Sequence, residues 1–428
     1  MKLFPHQVEA LKAVEGKNRC AFYHDMGLGK TEEGASKAEE LNAPVNLVVC
    51  QKSKISDWRE WILQYHTYCG NFVYDLTDPK ELKAFLDHCK HTEEHPEDEP
   101  AWGIINYDLI FRRSELKKLE NFTLILDESS LIQNPSAKRT QFIMAMKPEN
   151  VILLSGTPTG GKYENLWTQM KLLGWNIGEE MFFNQFVDFY WDMSSGFPIR
   201  MITGYKNEER LKRKMRQYGC HFLKTEDVID LPDQKFQTIM VPTSAAYKEF
   251  KKNRIVQIDG QELVGDTTLT RMLYERQLCG VWSDEKFEAF SDLLDSTNDR
   301  LVVFYNFNLE LDRLMEITGN HNRPMGVVNG SVKNPEVLNT ESAVLFVQYQ
   351  AGAMGLNLQV ANKIIYFSPP LSSELFEQSK KRIHRIGQNR PCFYYQLVCS
   401  GSVEAQIYRN LKMRQDYTEA LFEEENGR

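Results

Sequence analysis

A chain of 428 residues, 42% of them hydrophobic, is too long for one ordinary core, and its formal net charge of −8 excludes a uniformly basic nucleic-acid binder. No apolar run reaches the roughly 20 residues that span a bilayer, and the start MKLFPHQVEALK has no apolar signal core, so neither membrane insertion nor secretion is expected. Eight cysteines without a C-x-x-C pair fit reduced thiols in the cytoplasm better than a disulfide framework.

Short apolar runs alternate with amphipathic segments in the first half of the chain. The runs are NLVVC, WGIINY, FTLILDE and NVILLSGTP, beginning at residues 46, 102, 122 and 150. Buried strands that alternate with helices are typical of a parallel sheet covered on both faces. In the helical pattern SDWREWILQY, Trp58 and Trp61 are three residues apart and are predicted to pack in the core rather than to stack on bases.

The strand signal fades from about 161 to 225, where helical patterns predict an insertion. The polar, proline-containing segment DLPDQ at 230–234 predicts a linker, and a second helical stretch covers about 243–296. Apolar runs then resume as RLVVFYNF, MGVVNG, AVLFVQYQ, KIIYFSPP and FYYQLV. We therefore predict two α/β lobes, 1–228 and 229–428, each with a parallel sheet and a helical insertion.

The segment YHDMGLGKT lies between the apolar run RCAFYH and the helix-forming EEGASKAEEL. A phosphate-binding loop (P-loop) has the form G-x-x-x-x-G-K-[ST], and His24 stands where its first glycine is expected. Gly27 and Gly29 allow the backbone to approach a phosphate, Lys30 can reach the β- and γ-phosphates, and the Thr31 hydroxyl can bind Mg²⁺. Alone, the segment fits either a variant nucleotide site or an ordinary turn.

Two adjacent carboxylates, Asp127 and Glu128, end the apolar run FTLILDE. In P-loop enzymes an aspartate in this place holds the metal, and a glutamate can polarise the attacking water. A strand that ends in surface acids is common, but its combination with the loop at Lys30 favours a site for ATP and Mg²⁺.

The order of these motifs resembles the Swi/Snf family of helicase-like ATPases in superfamily two, over nearly the whole chain. LFPHQVEALK resembles the opening glutamine block of the family, which implies that Gln7 reads the adenine edge. DMGLGKT is the family form of the phosphate loop, which normally lacks the first glycine. In this loop Asp25 is acidic, as in the family, and is implied to belong to the nucleotide site. His24 stands at a position where an acidic residue is commoner. The resemblance implies two RecA-like lobes with ATP between them.

Two further first-lobe blocks fit the family with departures. LDESSLIQNPSAKRT resembles the metal-and-base block, but Ser129 and Ser130 replace the more usual small residue and histidine. The coupling role of that histidine is therefore open in this chain. LLSGTP resembles the block that links hydrolysis to DNA contact, which makes Ser155, Thr157 and Pro158 candidates for relay rather than for catalysis.

The last block, EQSKKRIHRIGQNRP, is the most specific. It contains the family pattern Q-x-x-x-R-x-x-R-x-G-Q as Gln378, Arg382, Arg385, Gly387 and Gln388. If the segment is helical, Arg382 and Arg385 share one face. The resemblance implies that Gln378 belongs to the nucleotide site. It also implies that both guanidinium groups meet the charge developing on the γ-phosphate, a contribution of about 10³-fold or more.

The segment QYQAGAMGLNLQ resembles the preceding block of the family. Gly352 and Gly355 would permit close approach of the backbone to phosphate, and Asn357 would orient the loop. Gln348 replaces the usual serine or threonine that contacts DNA, and SPPLSSELFEQ replaces the Asp and Trp-Asn-Pro line of the family. The remaining second-lobe candidates for strand contact are Asn306 and Gly330.

The resemblance implies an ATP-dependent translocase on double-stranded DNA with little sequence preference, because phosphate contacts carry no base code. The alternative is a strand-separating DNA or RNA helicase of the same superfamily. A regulatory module that binds ATP but turns over poorly is a further class, but nothing supports it directly, since both carboxylates and both arginines are present. A histone-reading remodelling subunit is a third class, and it would need accessory domains that the sequence is not expected to contain. Proteins that recruit this chain to its site of action are a further class of partner, which the sequence leaves unidentified. The expected compartment is the cytoplasm of a prokaryote or of a phage-infected cell, or the nucleus in a eukaryote.

The segment HCKHTEEHPEDEP is the nearest approach to a metal cluster, with His88, Cys89, His91 and His95. A zinc site needs four ligands that converge tetrahedrally, and these residues are crowded beside acids and prolines. We expect a solvated acidic loop here rather than a zinc site.

Overall fold

The computed structural model describes residues 3–66, 72–95, 98–194, 196–352 and 356–422. The chain divides into two compact units, Met1–Val228 with Asp416–Arg428, and Ile229–Gln415. Residues 416–422, predicted from the sequence to lie in the second lobe, thus group with the first unit. None of the helices within these described ranges is both long and apolar enough to cross a membrane.

The first unit is built on a parallel sheet. Its strands are β1 Arg19–His24, β2 Val45–Cys50, β3 Val73–Asp75, β4 Ala101–Asn106, β5 Phe122–Asp127, β6 Asn150–Ser155, β7 Val187–Asp192, β8 Ile199–Tyr205 and β9 Cys220–Leu223. Seven of them form one sheet in the order β3-β4-β2-β5-β6-β1-β9, and all of the pairings are parallel. The strands β7 and β8 form a separate antiparallel hairpin.

Helices cover this sheet on both faces. They are α1 Pro5–Ala13, α2 Lys30–Leu41, α3 Ile55–Tyr65, α4 Pro79–Glu94, α5 Lys138–Met144, α6 Trp167–Leu172, α7 Glu179–Phe186, α8 Glu208–Gln217 and α9 Thr225–Val228. Successive strand residues point into different cores: Leu153 lies in one hydrophobic cluster, and Ile152 and Leu154 lie in the other. This double burial explains why the strands read as continuous apolar runs rather than as alternating patterns.

The second unit repeats this plan with a second parallel sheet. Its strands are β10 Gln234–Val241, β11 Ile255–Ile258, β12 Gln261–Val264, β13 Leu301–Tyr305, β14 Met325–Val328, β15 Val344–Gln348, β16 Lys363–Tyr366 and β17 Cys392–Cys399. Six of them form a sheet in the order β10-β17-β16-β13-β15-β14, again with parallel pairing only. The predicted fold class, α/β with two RecA-like lobes and parallel sheets, is confirmed.

The helices of the second unit are α10 Ala245–Asn253, α11 Thr268–Gly280, α12 Asp284–Asp295, α13 Asn308–Asn320, α14 Tyr349–Gly352 and α15 Ser373–Lys380. The last helix, α16 Val403–Phe422, begins in the second unit and continues past its end at Gln415. Helices occur in both ranges predicted to be insertions, about 161–225 and 243–296. Each also contains an antiparallel hairpin that the sequence analysis does not predict, β7-β8 in the first insertion and β11-β12 in the second. The strand β9 returns from the first insertion to pair with β1.

The strand order positions the candidate residues of the first unit. The strands β5, β6 and β1 are parallel neighbours, with Asp127 beside Leu154 and Tyr23 beside Ser155. Because the carboxyl ends of parallel strands meet at one edge of a sheet, the loops that follow these three strands lie together there.

Candidate active site

The segment after β1 forms a glycine-bearing loop at the amino end of α2. Gly27 has φ +90° and Gly29, the residue just before α2, has φ +84°, a conformation that favours glycine. A Cβ atom on Gly29 would lie 2.5 Å from the side-chain nitrogen of Gln7. The loop is therefore closely packed at Gly29, where it leads into the amino end of α2, the end of a helix that favours an anion.

Gln7 and His6 fix α1 against this loop. The Gln7 side chain is 1% exposed; its Oε1 accepts from the backbone N–H of Phe4 at 2.9 Å, and its Nε2 donates to the carbonyl oxygen of Gly29 at 3.2 Å. The His6 Nε2 atom lies 3.0 Å from the carbonyl oxygen of Leu28. Gln7 thus contacts the loop directly, and its reading of adenine stays a prediction.

Lys30 lies over the loop that precedes it. Its ammonium donates to the carbonyl oxygens of His24 at 2.8 Å and of Asp25 at 3.1 Å. Thr31 follows Lys30 in the first turn of α2. The Oδ2 atom of Asp25 accepts from the backbone N–H of Thr225 at 3.0 Å and from its hydroxyl at 3.1 Å, so this carboxylate joins the loop to the start of α9.

Asp127 ends β5 and is held from two sides. Its Oδ2 accepts from the indole N–H of Trp58 at 2.8 Å, and its carbonyl oxygen accepts from the hydroxyl of Tyr107 at 3.0 Å. Burial raises the pKa of Asp127, while the Trp58 bond and the Lys30 ammonium lower it. Trp58 is 1% exposed, as predicted for a core residue, and its N–H also orients the carboxylate.

Glu128 adopts an uncommon backbone conformation, with φ +60° and ψ +59°. Such a conformation costs a residue other than glycine about 1–3 kcal/mol, and it persists where the surroundings determine it. The Oε1 atom of Glu128 accepts from Ser155 at 2.7 Å and from Ser130 at 3.2 Å. Burial raises the pKa of Glu128, and the nearby Lys30 ammonium is the largest opposing influence. The structure thus brings Lys30, Asp127 and Glu128 into one site.

Ser129 and Ser130, which replace the small residue and the histidine usual in the family, both form hydrogen bonds in the site. Ser130 binds Glu128, and the hydroxyl of Ser129 donates to the side-chain oxygen of Gln169 at 2.8 Å. Ser155 contacts Glu128 directly and also accepts from the backbone N–H of Thr157 at 3.1 Å. Sequence reasoning missed Gln169, because only the packing of α6 under the loops brings it there.

A buried chain of three titratable groups lies beside the loop. The Nδ1 atom of His24 lies 2.8 Å from Glu33 Oε2, and its Nε2 atom lies 2.7 Å from His221 Nδ1. Burial lowers the pKa of His24 to about 3 and that of His221 to about 4, with smaller contributions from Lys30 to the first and from His24 to the second. Burial raises the pKa of Glu33 to about 7.

This chain predicts a pH-dependent stability. The two imidazoles take up protons on unfolding below their ordinary pKa of 6.5, whereas Glu33 releases its proton on unfolding between pH 4.5 and about 7. Near pH about 5.5 the unfolded chain therefore binds about one proton more than the folded chain, so the free energy of unfolding should rise with pH by roughly 1 kcal/mol per unit from this cluster. We expect His221→Asn to remove most of that slope, measured by urea unfolding from pH 5 to 6; an unchanged slope would contradict the assignment.

The second unit places its candidates around the turn after α15. The helix ends at Lys380, so Arg382 and Arg385 lie in the following turn, and the condition under which they would share a helix face is not met. Gly387 in that turn has φ +95°. Arg382 is 5% exposed, and Arg385 is half-buried and donates to Asn357 Oδ1, which links the last two blocks. Burial lowers the pKa of Arg385.

Gln378 and Asn306 have internal partners. Gln378 is 4% exposed in α15 and donates to Glu374 at 3.3 Å. The side-chain amide of Asn306 donates to the hydroxyl of Ser368 at 2.8 Å and to the carbonyl oxygen of Pro369 at 3.0 Å, so it holds the loop after β16. Gly330 follows β14 in the next loop. The predicted phosphate-contacting Gly355 lies outside the described residues.

The histidine-rich segment does not gather metal ligands within the ranges described. Among the described residues, one group of three potential metal ligands comes close together: Cys279, Cys399 and Glu404, all buried in the second unit. The ammonium of Lys286 lies 2.5 Å from Glu404 and places a positive charge in that group. His91 instead pairs with Asp98 at 2.9 Å, and both side chains are about half exposed.

Two family models match the chain. The SNF2-related domain matches residues 6–281, and the helicase conserved C-terminal domain matches residues 285–387. The first match alone covers more than half of the chain.

Relatives include the SWI/SNF-related matrix-associated actin-dependent regulator of chromatin subfamily A-like protein 1 homolog of Caenorhabditis elegans, 22% identical over 97% of this chain and 61% of the relative. Another is the DNA repair and recombination protein RAD54-like of Drosophila erecta, 23% identical over 95% of this chain and 61% of the relative. The Sulfolobus solfataricus SWI2/SNF2 ATPase core in complex with dsDNA is a similar solved structure, with 19% identity, a TM-score of 0.45, and coverage of 98% of this chain and 92% of that chain. The chain thus spans less than two thirds of the length of these two curated relatives.

Proposed function

Because the chain belongs to the SNF2-related family of helicase-like ATPases, we propose that it is a translocase on double-stranded DNA that hydrolyses ATP to step along the phosphate backbone without strong sequence preference. The observation that carries the proposal is the meeting of Lys30, Asp127 and Glu128 at one edge of a parallel sheet, next to a glycine-bearing loop. A cation for phosphate, a carboxylate for a metal and a second carboxylate for water are what phosphoryl transfer to water requires.

The site residues fit Mg²⁺. Magnesium prefers oxygen ligands, and the Asp127 carboxylate and the Thr31 hydroxyl supply two. Trp58 holds the Oδ2 atom of Asp127 at 2.8 Å, which leaves Oδ1 as the oxygen for the metal. A bound Mg²⁺ would neutralise negative charge on the β- and γ-phosphates.

Glu128 is proposed to orient the attacking water and to accept its proton. Its carboxylate is held by Ser155 and Ser130, so one oxygen has a fixed direction. Burial raises its pKa, which makes the carboxylate a better proton acceptor than an exposed glutamate. In the second unit, Arg382 and Arg385 are proposed to stabilise the charge on the transferring phosphoryl group.

The DNA part of the proposal is supported by the family and by the phosphate-tracking chemistry it implies. The Drosophila erecta relative is named as a DNA repair and recombination protein. With a net charge of −8, contacts to DNA phosphates must come from local basic surface. The helix α8 exposes Arg210 and Arg213, which we propose contribute to such a surface.

Steady-state ATP hydrolysis tests this function. We expect the rate without nucleic acid to be low, duplex DNA to stimulate it more than single-stranded DNA or RNA, and the stimulation to fall steeply as salt rises, because phosphate contacts release counterions. A blunt duplex with one labelled strand should stay paired during turnover. Preferential stimulation by RNA, or release of the labelled strand, would favour the strand-separating helicase instead.

A further inference from the structure

Gln169 in α6 connects three loops of the candidate site. Its side chain is 0% exposed. The Oε1 atom accepts from the hydroxyl of Tyr23 at 3.0 Å and from the hydroxyl of Ser129 at 2.8 Å, and the Nε2 atom donates to the carbonyl oxygen of Pro158 at 2.7 Å. One buried amide thus bonds to residues from three separate segments.

Each partner belongs to a different functional segment. Tyr23 is the second-last residue of β1, immediately before the phosphate loop. Ser129 directly follows Glu128, and Pro158 ends the segment that begins with Ser155. These three segments lie at the carboxyl ends of the neighbouring strands β1, β5 and β6, so Gln169 connects the segments that carry or adjoin the phosphate, carboxylate and relay residues.

The position of Glu128 depends on how its neighbours are held. Its left-handed backbone is unfavourable and has to be imposed by the surrounding structure. The Ser129–Gln169 bond anchors the next residue along the chain, and the Pro158–Gln169 bond anchors the segment whose Ser155 binds the Glu128 carboxylate. Both constraints therefore pass through the same amide.

We propose that Gln169 is a positioning residue for ATP hydrolysis, which holds Glu128 and the 155–158 segment in one geometry relative to the phosphate loop. The inference rests on the proposed ATPase function and names a residue that acts through Glu128. It does not assign Gln169 a contact with the nucleotide. Its removal should therefore affect the chemical step far more than ATP binding.

The test is Gln169→Met, which keeps the side-chain length and removes all three hydrogen bonds. We expect kcat with duplex DNA to fall about 10²-fold, as misplacement of a reacting group does, while KM for ATP and the Kd for a fluorescent ATP analogue stay within about twofold. Tyr23→Phe removes one hydroxyl and leaves the bonds to Ser129 and Pro158, so a loss of about threefold is expected.

Asn150→Leu is the matched control. Asn150 is also a buried amide, 6% exposed, and donates to Thr123 at 3.2 Å, but it lies at the opposite end of β6. It should lower Tm and leave kcat unchanged. If Gln169→Met keeps kcat within twofold, or loses kcat only as much as Asn150→Leu does at the same Tm, the inference is wrong.

Two outcomes separate this inference from the proposed function. A wild-type chain that releases no phosphate from ATP overturns the proposed function, and the inference with it. An active wild type with an unimpaired Gln169→Met overturns the inference alone. If Gln169→Met does not fold, Ser129→Ala decides, because it removes the bond that anchors the residue next to Glu128; an unchanged kcat in that variant contradicts the role of the amide.

Discussion

Glu128→Gln is expected to lower kcat for ATP hydrolysis by about 10³-fold, because an amide cannot accept the proton of the attacking water. The amide oxygen can still accept from Ser155 and Ser130, so the strained backbone and the loop should be retained. Lys30 and the glycine-bearing loop are untouched, and ATP binding should therefore be close to that of the wild type. The measurement is phosphate release at saturating ATP and duplex DNA, together with the Kd for a fluorescent ATP analogue.

Glu40→Gln is the control for this change. Glu40 is on α2, the helix that begins with Lys30, but its side chain is 36% exposed and pairs with Lys37 away from the loop. It should hydrolyse ATP at the wild-type rate. If Glu128→Gln releases phosphate at the same background rate as the wild type, the protein is instead a regulatory module that binds ATP and turns it over poorly.

Arg382→Gln and Arg385→Gln are each expected to lower kcat by about 10³-fold, the contribution of arginines that stabilise a transferring phosphoryl group. Because this charge develops during the reaction, KM for ATP should change little. Arg385 also donates to Asn357, so its replacement is expected to affect that loop as well. The measurement is the same phosphate-release assay with duplex DNA at low salt.

Arg390→Gln provides the comparison for a charge change in the same block. Arg390 is exposed and pairs with Asp299 at 3.4 Å. Its loss should leave kcat unchanged, since exposed ion pairs contribute little. If both Arg382→Gln and Arg385→Gln hydrolyse ATP as fast as Arg390→Gln does, these two arginines take no part in the reaction. The proposed role of the second unit in ATP hydrolysis is then wrong.

The central strands were predictable because burial on both faces makes them continuous apolar runs. Each of the apolar runs noted in the sequence corresponds to a strand of one of the two parallel sheets. Strands without that burial were missed. The edge strand β10 has seven of its eight residues outside the core, and Val187 is the one buried residue in the hairpin strands β7 and β8. Their polar or mixed sequences carry no such signal.

Helix ends were also harder to predict than helices. The segment KKRIHRIGQNR reads as a basic helix, but α15 stops at Lys380 and a turn follows. Gly387 takes a left-handed conformation in that turn, and Gln388 donates to the carbonyl oxygens of Gln359 and Ala361. These two features favour the turn over a continuation of the helix. Such tertiary bonds are invisible in a local pattern.

Motif spacing identified the charged members of the first-unit site, Lys30, Asp127 and Glu128, as residues that meet. It could not identify the residues that hold them. Trp58 was expected only to pack, and its bond to Asp127 depends on where α3 lies against β5. Gln169 carries no motif, because its partners are distant in sequence and are brought together by strand order alone.

The protonation state of Glu33 sets the direction of the two hydrogen bonds that join Glu33, His24 and His221. A neutral imidazole has one donor and one acceptor nitrogen. When Glu33 is protonated it donates to Nδ1 of His24, whose Nε2–H then donates to His221; when Glu33 is ionised, both bonds reverse. Since the pKa of Glu33 is about 7, both histidines should exchange tautomers near neutral pH without changing charge. Nitrogen-15 chemical shifts of the two rings would therefore report the protonation of a carboxyl group one turn from Lys30.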